Sequence, residues 1–425
     1  MAGADDPALV APAPLDLNVN AADPKADARE LALLTGPDAA HVLAAAVQVA
    51  GGELVSCRPR QVVHQPGRGT TVSYRSRVRW SDGEVEDETL AACTGDAPAG
   101  ALVLGDGADR VAVWRFPHDP ELPGLAVACD EAAVANVLDE TGLGGAPVRL
   151  RTRAYRPRRR AVVEAVGPTG RLFIKVVRPD RVEALHNRHR LLVRSGIPAP
   201  QSLGWTSQGI LVLQALPGRT LRQALRTRTT PIPGGGDILA LLDRLPQELA
   251  QGTPRQSWID KAPHYAAVIG AALPTEATRA ARLADALVAA AGRAWPGPVH
   301  GDFYESQLLV DRGRICGLLD VDTAGPGDKL DDLACLLGHL SVLAQIDRDR
   351  ARIINRAGAS YLRAFEAVVC PAELSRRVAA VVLSLATGSH RVQERAWPAT
   401  TSRRLELAET WLATARNPRR RADGR

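Results

Sequence analysis

The sequence predicts an α+β protein of two lobes, a small β-rich one and then a helical one, with a further small α+β unit ahead of both. Three observations predict it. The first half carries two alternating hairpins, one around "TTVSYRSRVRW" (70–80) and one spanning residues 161–177. Beyond residue 237 the chain is mostly amphipathic helix. One pair of short apolar strands, inside "HGDFYESQLLVDRGRICGLLDVD" (300–322), interrupts those helices between two acidic turns. This order differs from the regular β–α alternation of a parallel sheet.

A length of 425 residues suits two or three domains. Hydrophobic content of 45% and charged content of 24% provide a core and a solvated surface. The chain has no apolar run of about 18 residues, so no membrane span is expected, and its start lacks the pattern of a secretory signal. The six cysteines are scattered without zinc spacing, which reads as reduced thiols in a cytoplasmic protein. The net charge of +6 comes almost wholly from arginine, with four lysines in all: Lys25, Lys175, Lys261 and Lys329. No aromatic residues interleave with this charge, so no nucleic-acid partner is expected.

In chain order, residues 1–28 read as a disordered Ala/Pro leader and 29–128 as an α+β cap opening with a helix over 30–50. In the first hairpin Val72, Tyr74, Val78 and Trp80 face one way, and Ser73, Arg75, Arg77 and Arg79 the other. A turn at Asp82-Gly83 would set Glu86 against Arg79 and Glu88 against Arg77, exposed pairs worth about 0.2 to 1 kcal/mol each. Residues 129–216 form the β-rich lobe, with strands at 161–166, 171–177 and 210–213 and a helix over 181–195 ended by Gly196 and Pro198. "YRPRRR" (155–160) enters its hairpin much as "HQPGRG" (64–69) enters the first, and the two read as separate Pro-containing entries. The helical lobe, 217–416, carries helices near 237–250, 276–294, 330–345, 349–366 and 373–387, with no strands besides the pair within 300–322. A basic disordered tail, 417–425, follows.

The chemistry concentrates in 300–322. Asp302 lies on the loop before the first strand, Gln307 at its start and Asp320 at the end of the second. Adjacent antiparallel strands lie about 5 Å apart, which brings Gln307 and Asp320 within reach of one divalent ion. Asp302 then stands beside them, placed to accept a proton. A loop base, an amide and a carboxylate on a metal, and a lysine from the other lobe make a minimal phosphoryl-transfer set.

These residues, with "GPGDKLDDLA" (325–334), resemble the aminoglycoside phosphotransferase and choline kinase-like family over about residues 148–412. The resemblance implies a protein-kinase-like fold, and ATP and Mg²⁺ as cofactors. It makes Asp302 the catalytic base, Gln307 and Asp320 the metal ligands, and Asp332 a structural acid under the catalytic loop. Lys175 matches the family's ATP-phosphate lysine. Gln214 to Leu216, within "VLQALPG", match the hinge that faces adenine.

Three features depart from the family pattern. Gln307 stands where asparagine is usual; its longer stem offers the same amide oxygen, as in maltokinase-like members. The phosphate loop is "YRPRRR", without glycine, so Arg158, Arg159 or Arg160 would supply charge in its place. Glu183, the acid of helix 181–195, is the candidate partner of Lys175, although it lies near the helix start and could serve as a first-turn acid. His300 reads as a residue orienting the loop.

The partner is a small-molecule hydroxyl acceptor. Glu305, Asp322 and Asp328 are acids near the mouth, and Arg391, Gln393 and Trp397 could line an acceptor pocket. More Arg than Asp plus Glu beyond residue 217 disfavours a polycation. The extra N-terminal unit and Gln307 are similar to maltokinase-like sugar kinases and favour a sugar or amino sugar. An aminoglycoside kinase and a catalytically silent ATP-binding scaffold are the competing readings.

Overall fold

In the computed structural model the described residues are 23–105, 110–168, 170–227, 230–290, 292 and 294–416. The expected tail and residues 1–22 of the expected leader lie outside them; the end of that leader is already helical, because Asp23 caps a helix that starts at Pro24.

The first unit opens with α1 (Pro24–Thr35) and α2 (Asp38–Val49). The single helix expected over 30–50 is broken at Gly36-Pro37, because proline starts a helix well and cannot continue one. Among the described residues no single helix is long and apolar enough to cross a membrane. Leu31, Leu34, Leu43 and Val47 of this pair pack on a five-stranded sheet. Its strands are β1 (Glu53–Gln65), β2 (Gly69–Arg79), β3 (Val85–Cys93), β4 (Leu102–Leu104) and β5 (Val111–Arg115), in the order β1-β2-β3-β5-β4.

Val72, Tyr74 and Val78 are buried as the alternation requires, and Arg75, Arg77 and Arg79 are exposed. The β2–β3 register differs from expectation by one residue: Arg79 pairs with Val85 and Arg77 with Asp87. The cause is a longer turn, in which the Trp80 amide donates to the Glu84 carbonyl and Gly83 takes φ +86°. The charges find other partners, with Arg79 on Glu53, Arg75 on Asp87 and Arg115 on Glu88.

The second unit contains α3 (Gly124–Ala128), α4 (Glu131–Glu140), β6 (Arg149–Arg156), β7 (Arg160–Gly167), β8 (Gly170–Val177), α5 (Pro179–Arg194), β9 (Ser202–Trp205) and β10 (Ile210–Gln214). Leu122, Leu125 and Ala128 pack on this sheet, so its core begins several residues before the expected boundary at 129. The sheet order is β6-β7-β8-β10-β9, the same order as in the first unit. The two Pro-containing entries are therefore more than separate hairpins. Gln65 pairs with Gly69 across the first turn and Arg156 with Arg160 across the second, each with proline next and a positive-φ residue at the centre, Gly67 or Arg158.

The helical lobe comprises β11 (Arg219–Thr220), α6 (Leu221–Ala224), α7 (Gly235–Asp243), α8 (Ala262–Ala272), α9 (Ala277–Val288), β12 (Pro296–Val299), β13 (Leu308–Asp311), β14 (Arg314–Leu318), β15 (Gly325–Asp328), α10 (Lys329–Ile346), α11 (Ala351–Glu366), α12 (Pro371–Ala386), α13 (Gly388–Arg391) and α14 (Trp397–Arg416). Strands β11, β12 and β15 were not expected, since two to four residues carry no readable alternation. β11 extends the β13–β14 hairpin, and β12 pairs with β15. Helix α10 is buried along most of its length and packs with α12 in the lobe's core.

A buried ion-pair network anchors the catalytic segment. Arg377 on α12 donates to Asp328 at 2.6 Å and to Asp331 at 2.8 Å. Asp328 also caps α10 through the Leu330 amide and accepts from the Trp295 amide. It is thus a structural residue and does not line the mouth.

Candidate active site

The β13–β14 hairpin brings Gln307 and Asp320 together, as the spacing predicts. Leu308 pairs with Leu318, and the Leu319 amide donates to the Gln307 carbonyl at 2.8 Å. Gln307 is buried, and its Nε2 donates to Asp320 Oδ2 at 3.5 Å. Asp320 holds a left-handed backbone, φ 53° and ψ 50°, which costs a non-glycine residue about 1 to 3 kcal/mol. The partners of its side chain oppose that cost.

Those partners come from the β-rich lobe. Arg160 donates to both oxygens of Asp320 at 2.7 Å and to Asp322 at 3.0 Å. Lys175, buried on β8, donates to Asp320 at 2.9 Å and also to Asp322. Burial alone would raise the Asp320 pKa, but Arg160 and Lys175 hold it well below the usual carboxylate range. Asp320 is thus an ionised oxygen donor, and with the Asp322 carboxyl on the same two cations it makes an oxygen set that suits Mg²⁺. Two cations cover them in this state.

The His300–Asp302 loop is held from beneath. Asp332 accepts from the His300 and Gly301 amides, both at 2.7 Å. His300 Nε2 donates to the Leu319 carbonyl at 2.8 Å, and its Nδ1 accepts from the Asp302 amide at 3.3 Å. Burial lowers its pKa, so it is a neutral orienting residue, in line with the sequence reading. Gly301 takes φ +84°, and a Cβ there would fall 2.7 Å from the Thr323 backbone carbonyl oxygen, so the position favours glycine. Asp302 Oδ1 is buried with no hydrogen-bond partner. Burial, and then the charge of Asp320, push the Asp302 pKa up to about 7, against Arg160, Arg156 and Arg255. The result is a carboxylate that can take a proton near neutrality.

Two expected residues lie elsewhere. Glu183 is on the exposed face of α5, a turn too early to reach Lys175. The face turned toward the cleft carries Arg188, which donates to the Asp322 carbonyl at 2.7 Å, and buried His189. The His189 pKa falls to about 4 through burial and the nearby Lys175 charge, so a neutral imidazole stands near the lysine. Arg158 points away from the cleft and pairs with Glu121 at 2.8 and 3.0 Å. At the left-handed centre of its turn its side chain leaves on the far side, and Arg160 takes the inward place.

The cleft beside Asp302 is rich in cations. Burial and neighbouring positive charge bring Arg159 down to about 10, Arg391 to about 9 and Lys261 to about 8. Arg156 and Arg391 feel the Asp302 charge, and Lys261 feels it too. Arg391 is buried within reach of the Asp302 charge. Gln393 donates to the His390 carbonyl and Trp397 packs edge-on against His390, so these two serve the helix end. Glu305 is fully buried beneath the loop and lines no mouth. Gln214 ends β10 and Leu216 follows it in the irregular segment that leads into β11 of the other lobe. Arg255, Arg156 and His189 were missed because a loop arginine and a helical histidine carry no motif. Lys261, one of four lysines in the chain, had rarity as a signal.

The sequence profile of the phosphotransferase enzyme family matches residues 153–369, just over half of the chain. Among solved structures the chain is similar to a macrolide 2'-phosphotransferase from Brachybacterium faecium, at 20% identity over 64% of this chain and 97% of that one, TM-score 0.40. It is similar to an aminoglycoside phosphotransferase from Streptomyces rimosus at 18% identity over 60% and 97% of the two chains, TM-score 0.38. A choline/ethanolamine kinase family protein from Mesorhizobium loti shows 17% identity over 66% and 94%, TM-score 0.44. Likenesses of this size do not reach the substrate. No curated protein sequence matches the chain.

Proposed function

The chain belongs to the phosphotransferase enzyme family, whose members are small-molecule kinases acting on hydroxyl groups, and on that premise we propose that it phosphorylates a sugar hydroxyl from ATP with Mg²⁺. One observation carries the catalytic assignment: the buried, unpartnered oxygen of Asp302, titrating at about 7 beside the Gln307–Asp320–Lys175 cluster. Asp302 takes the acceptor proton. The acceptor oxygen bonds to the terminal phosphorus as the bond to ADP breaks. Lys175 and Arg160, which lie on Asp320 and Asp322 in this state, transfer to the phosphates when nucleotide enters. Gln307 and Asp320, with Asp322, would hold Mg²⁺, which when bound neutralises phosphate charge. The strand end at Gln214 to Leu216 receives the adenine.

The acceptor class follows from charge. Arg156, Arg159, Arg391 and Lys261 around the Asp302 side of the cleft repel a polycation, and this disfavours an aminoglycoside. A neutral sugar, or one with an anionic group, fits that lining. The extra N-terminal unit and Gln307, features of maltokinase-like sugar kinases, point the same way.

The test is ADP release with Mg²⁺-ATP over neutral sugars, acidic sugars, amino sugars and aminoglycosides. Turnover that depends on a neutral or acidic sugar, and falls about 10²-fold or more in Asp302→Ala, is expected. Equal turnover in Asp302→Ala would overturn the base assignment, and turnover confined to aminoglycosides would overturn the acceptor class.

A further inference from the structure

Helix α10 does more than carry Asp332 beneath the loop. Cys335 and His339 follow one turn apart on the same face of that helix, which backs onto Asp302. One ligand atom from each of Asp302, Cys335 and His339 lies within 4.8 Å of the other two. His339 is fully buried, and neither of its ring nitrogens has a hydrogen-bond partner. Asp302 Oδ1 is in the same condition. Buried polar atoms are nearly always satisfied, so two such groups facing one thiol need an explanation. The Tyr304 ring stacks on the imidazole at 4.2 Å and fixes its plane.

We propose that Asp302, Cys335 and His339 form a site for one thiophilic divalent cation of the Zn²⁺ class, and that filling it switches the enzyme off by engaging Asp302. Sulfur, nitrogen and carboxylate oxygen together select zinc-like ions over magnesium. The site is therefore chemically distinct from the all-oxygen set of Gln307 and Asp320. Bonds of about 2.0 to 2.3 Å place tetrahedral ligand atoms roughly 3.3 to 3.7 Å apart, so the trio contracts by about 1.5 Å at most on binding. Rotation of Asp302, which is half-buried, supplies that movement and leaves the fourth position toward the cleft. Burial, and then the charges of Asp302, Asp332 and Glu305, hold Cys335 as a protonated thiol, while those same carboxylate charges favour a cation beside it. Burial first, and then the charges of Arg222, Arg391 and Arg404, keep the His339 imidazole neutral, which is its ligating form, although those charges also oppose a cation. Binding releases the thiol proton to solvent and involves no change of oxidation state. The loss of activity rests on the assignment of Asp302 as base, whereas the binding itself does not.

The experiment uses the full-length reduced protein, with Co²⁺ as the spectroscopic probe and Zn²⁺ as competitor. One equivalent of Co²⁺ producing a thiolate-to-metal charge-transfer band, displaced by Zn²⁺, is expected. Cys335→Ser and His339→Asn should each weaken Co²⁺ binding by more than about tenfold, while basal turnover stays unchanged and becomes insensitive to Zn²⁺. Wild-type turnover should fall in proportion to Zn²⁺ occupancy and should not recover with excess Mg²⁺. A missing band, or a band retained in both variants because Cys57, Cys93, Cys129, Cys316 or Cys370 supplies the thiolate, overturns the site. A bound ion with undiminished turnover overturns the switch. The band decides the site even if no acceptor supports turnover, so its failure is distinguishable from failure of the kinase assignment. Thermal melts of both variants separate loss of the ligand from loss of the fold.

Discussion

The two sheets run the same course and end differently at one turn. In the first, the residues from His64 to Gly69 close β1 onto β2; in the second, Tyr155 to Arg160 close β6 onto β7. In each, the fifth residue's amide bonds back to the carbonyl before the proline, Arg68 to Gln65 and Arg159 to Arg156. In each, an aspartate accepts the amide of the central residue: Asp27 from Gly67, and Asp119 from Arg158, both at 2.8 Å. The difference lies in what stands around that shared frame. Gly69 packs against the Thr94 backbone, where a Cβ would meet the carbonyl at 2.6 Å, so the first turn is shut. At the matching place the second turn carries Arg160, which extends across the cleft to Asp320 and Asp322. Two residues farther along the second strand the partner across the ladder is Lys175 in one sheet and Cys93 in the other. The second sheet also inserts α5 between its third and fourth strands. A shared topology therefore confers no site; a few charged residues at the turn and on the third strand do.

Exchanging residues between the sheets tests this. The largest effect is expected for Lys175→Cys, which installs the first sheet's residue. It should cost about 10²- to 10³-fold in kcat/KM for ATP, the size of losing one preorganised charge donor. Cys93→Ala should leave that ratio unchanged. An intact kcat/KM in Lys175→Cys would break the comparison at its strongest point.

Arg160→Gly, which installs the residue found at 69, should act through pH. With Asp302 titrating at about 7, its base form grows as pH rises, so kcat/KM climbs about tenfold per pH unit below that point and levels above it. Arg160 holds the Asp302 pKa down, so its removal should move the midpoint to higher pH. A midpoint that stays in place would mean that Arg160 does not act on the base.

Tyr155→Phe probes the joint between the units. Its hydroxyl donates to Asp119 at 2.9 Å and accepts from Trp114 Nε1 of the first sheet at 3.0 Å. Loss of that link should destabilise the protein by about 1 to 3 kcal/mol in a denaturant titration, with a smaller effect on rate. Arg158→Gly should change least. Release of the left-handed strain, about 1 to 2 kcal/mol, offsets the lost pair with Glu121, and turnover should stay within about twofold of wild type. A large loss of activity there would return Arg158 to the phosphates.

The pairing of Gln307 with Asp320, the placing of Asp302 beside them, the strand position of Lys175 and the support of the loop by Asp332 were all legible in the sequence. They depend on short spacings along one hairpin or on a motif whose local geometry travels with it. What was misread depends on rotation and reach. Glu183 sits on the correct helix and on its wrong face. Arg158 belongs to the correct turn, but a positive φ sends its side chain outward. The one-residue error at Arg79 and Val85 came from a turn longer than Asp82-Gly83 alone implied.

By itself, then, the sequence determined the two-lobed α+β plan and the hairpin that carries Gln307 and Asp320, because hydrophobic periodicity and local turn chemistry act between residues close along the chain. The tertiary structure alone decided that Arg160 lies on Asp320, that Cys335 and His339 back onto Asp302, and that two sheets of different sequence share one strand order. Those contacts join residues far apart in the chain, Arg160 and Asp320 by 160 positions. They are selected by how whole elements pack, a choice that no local pattern encodes.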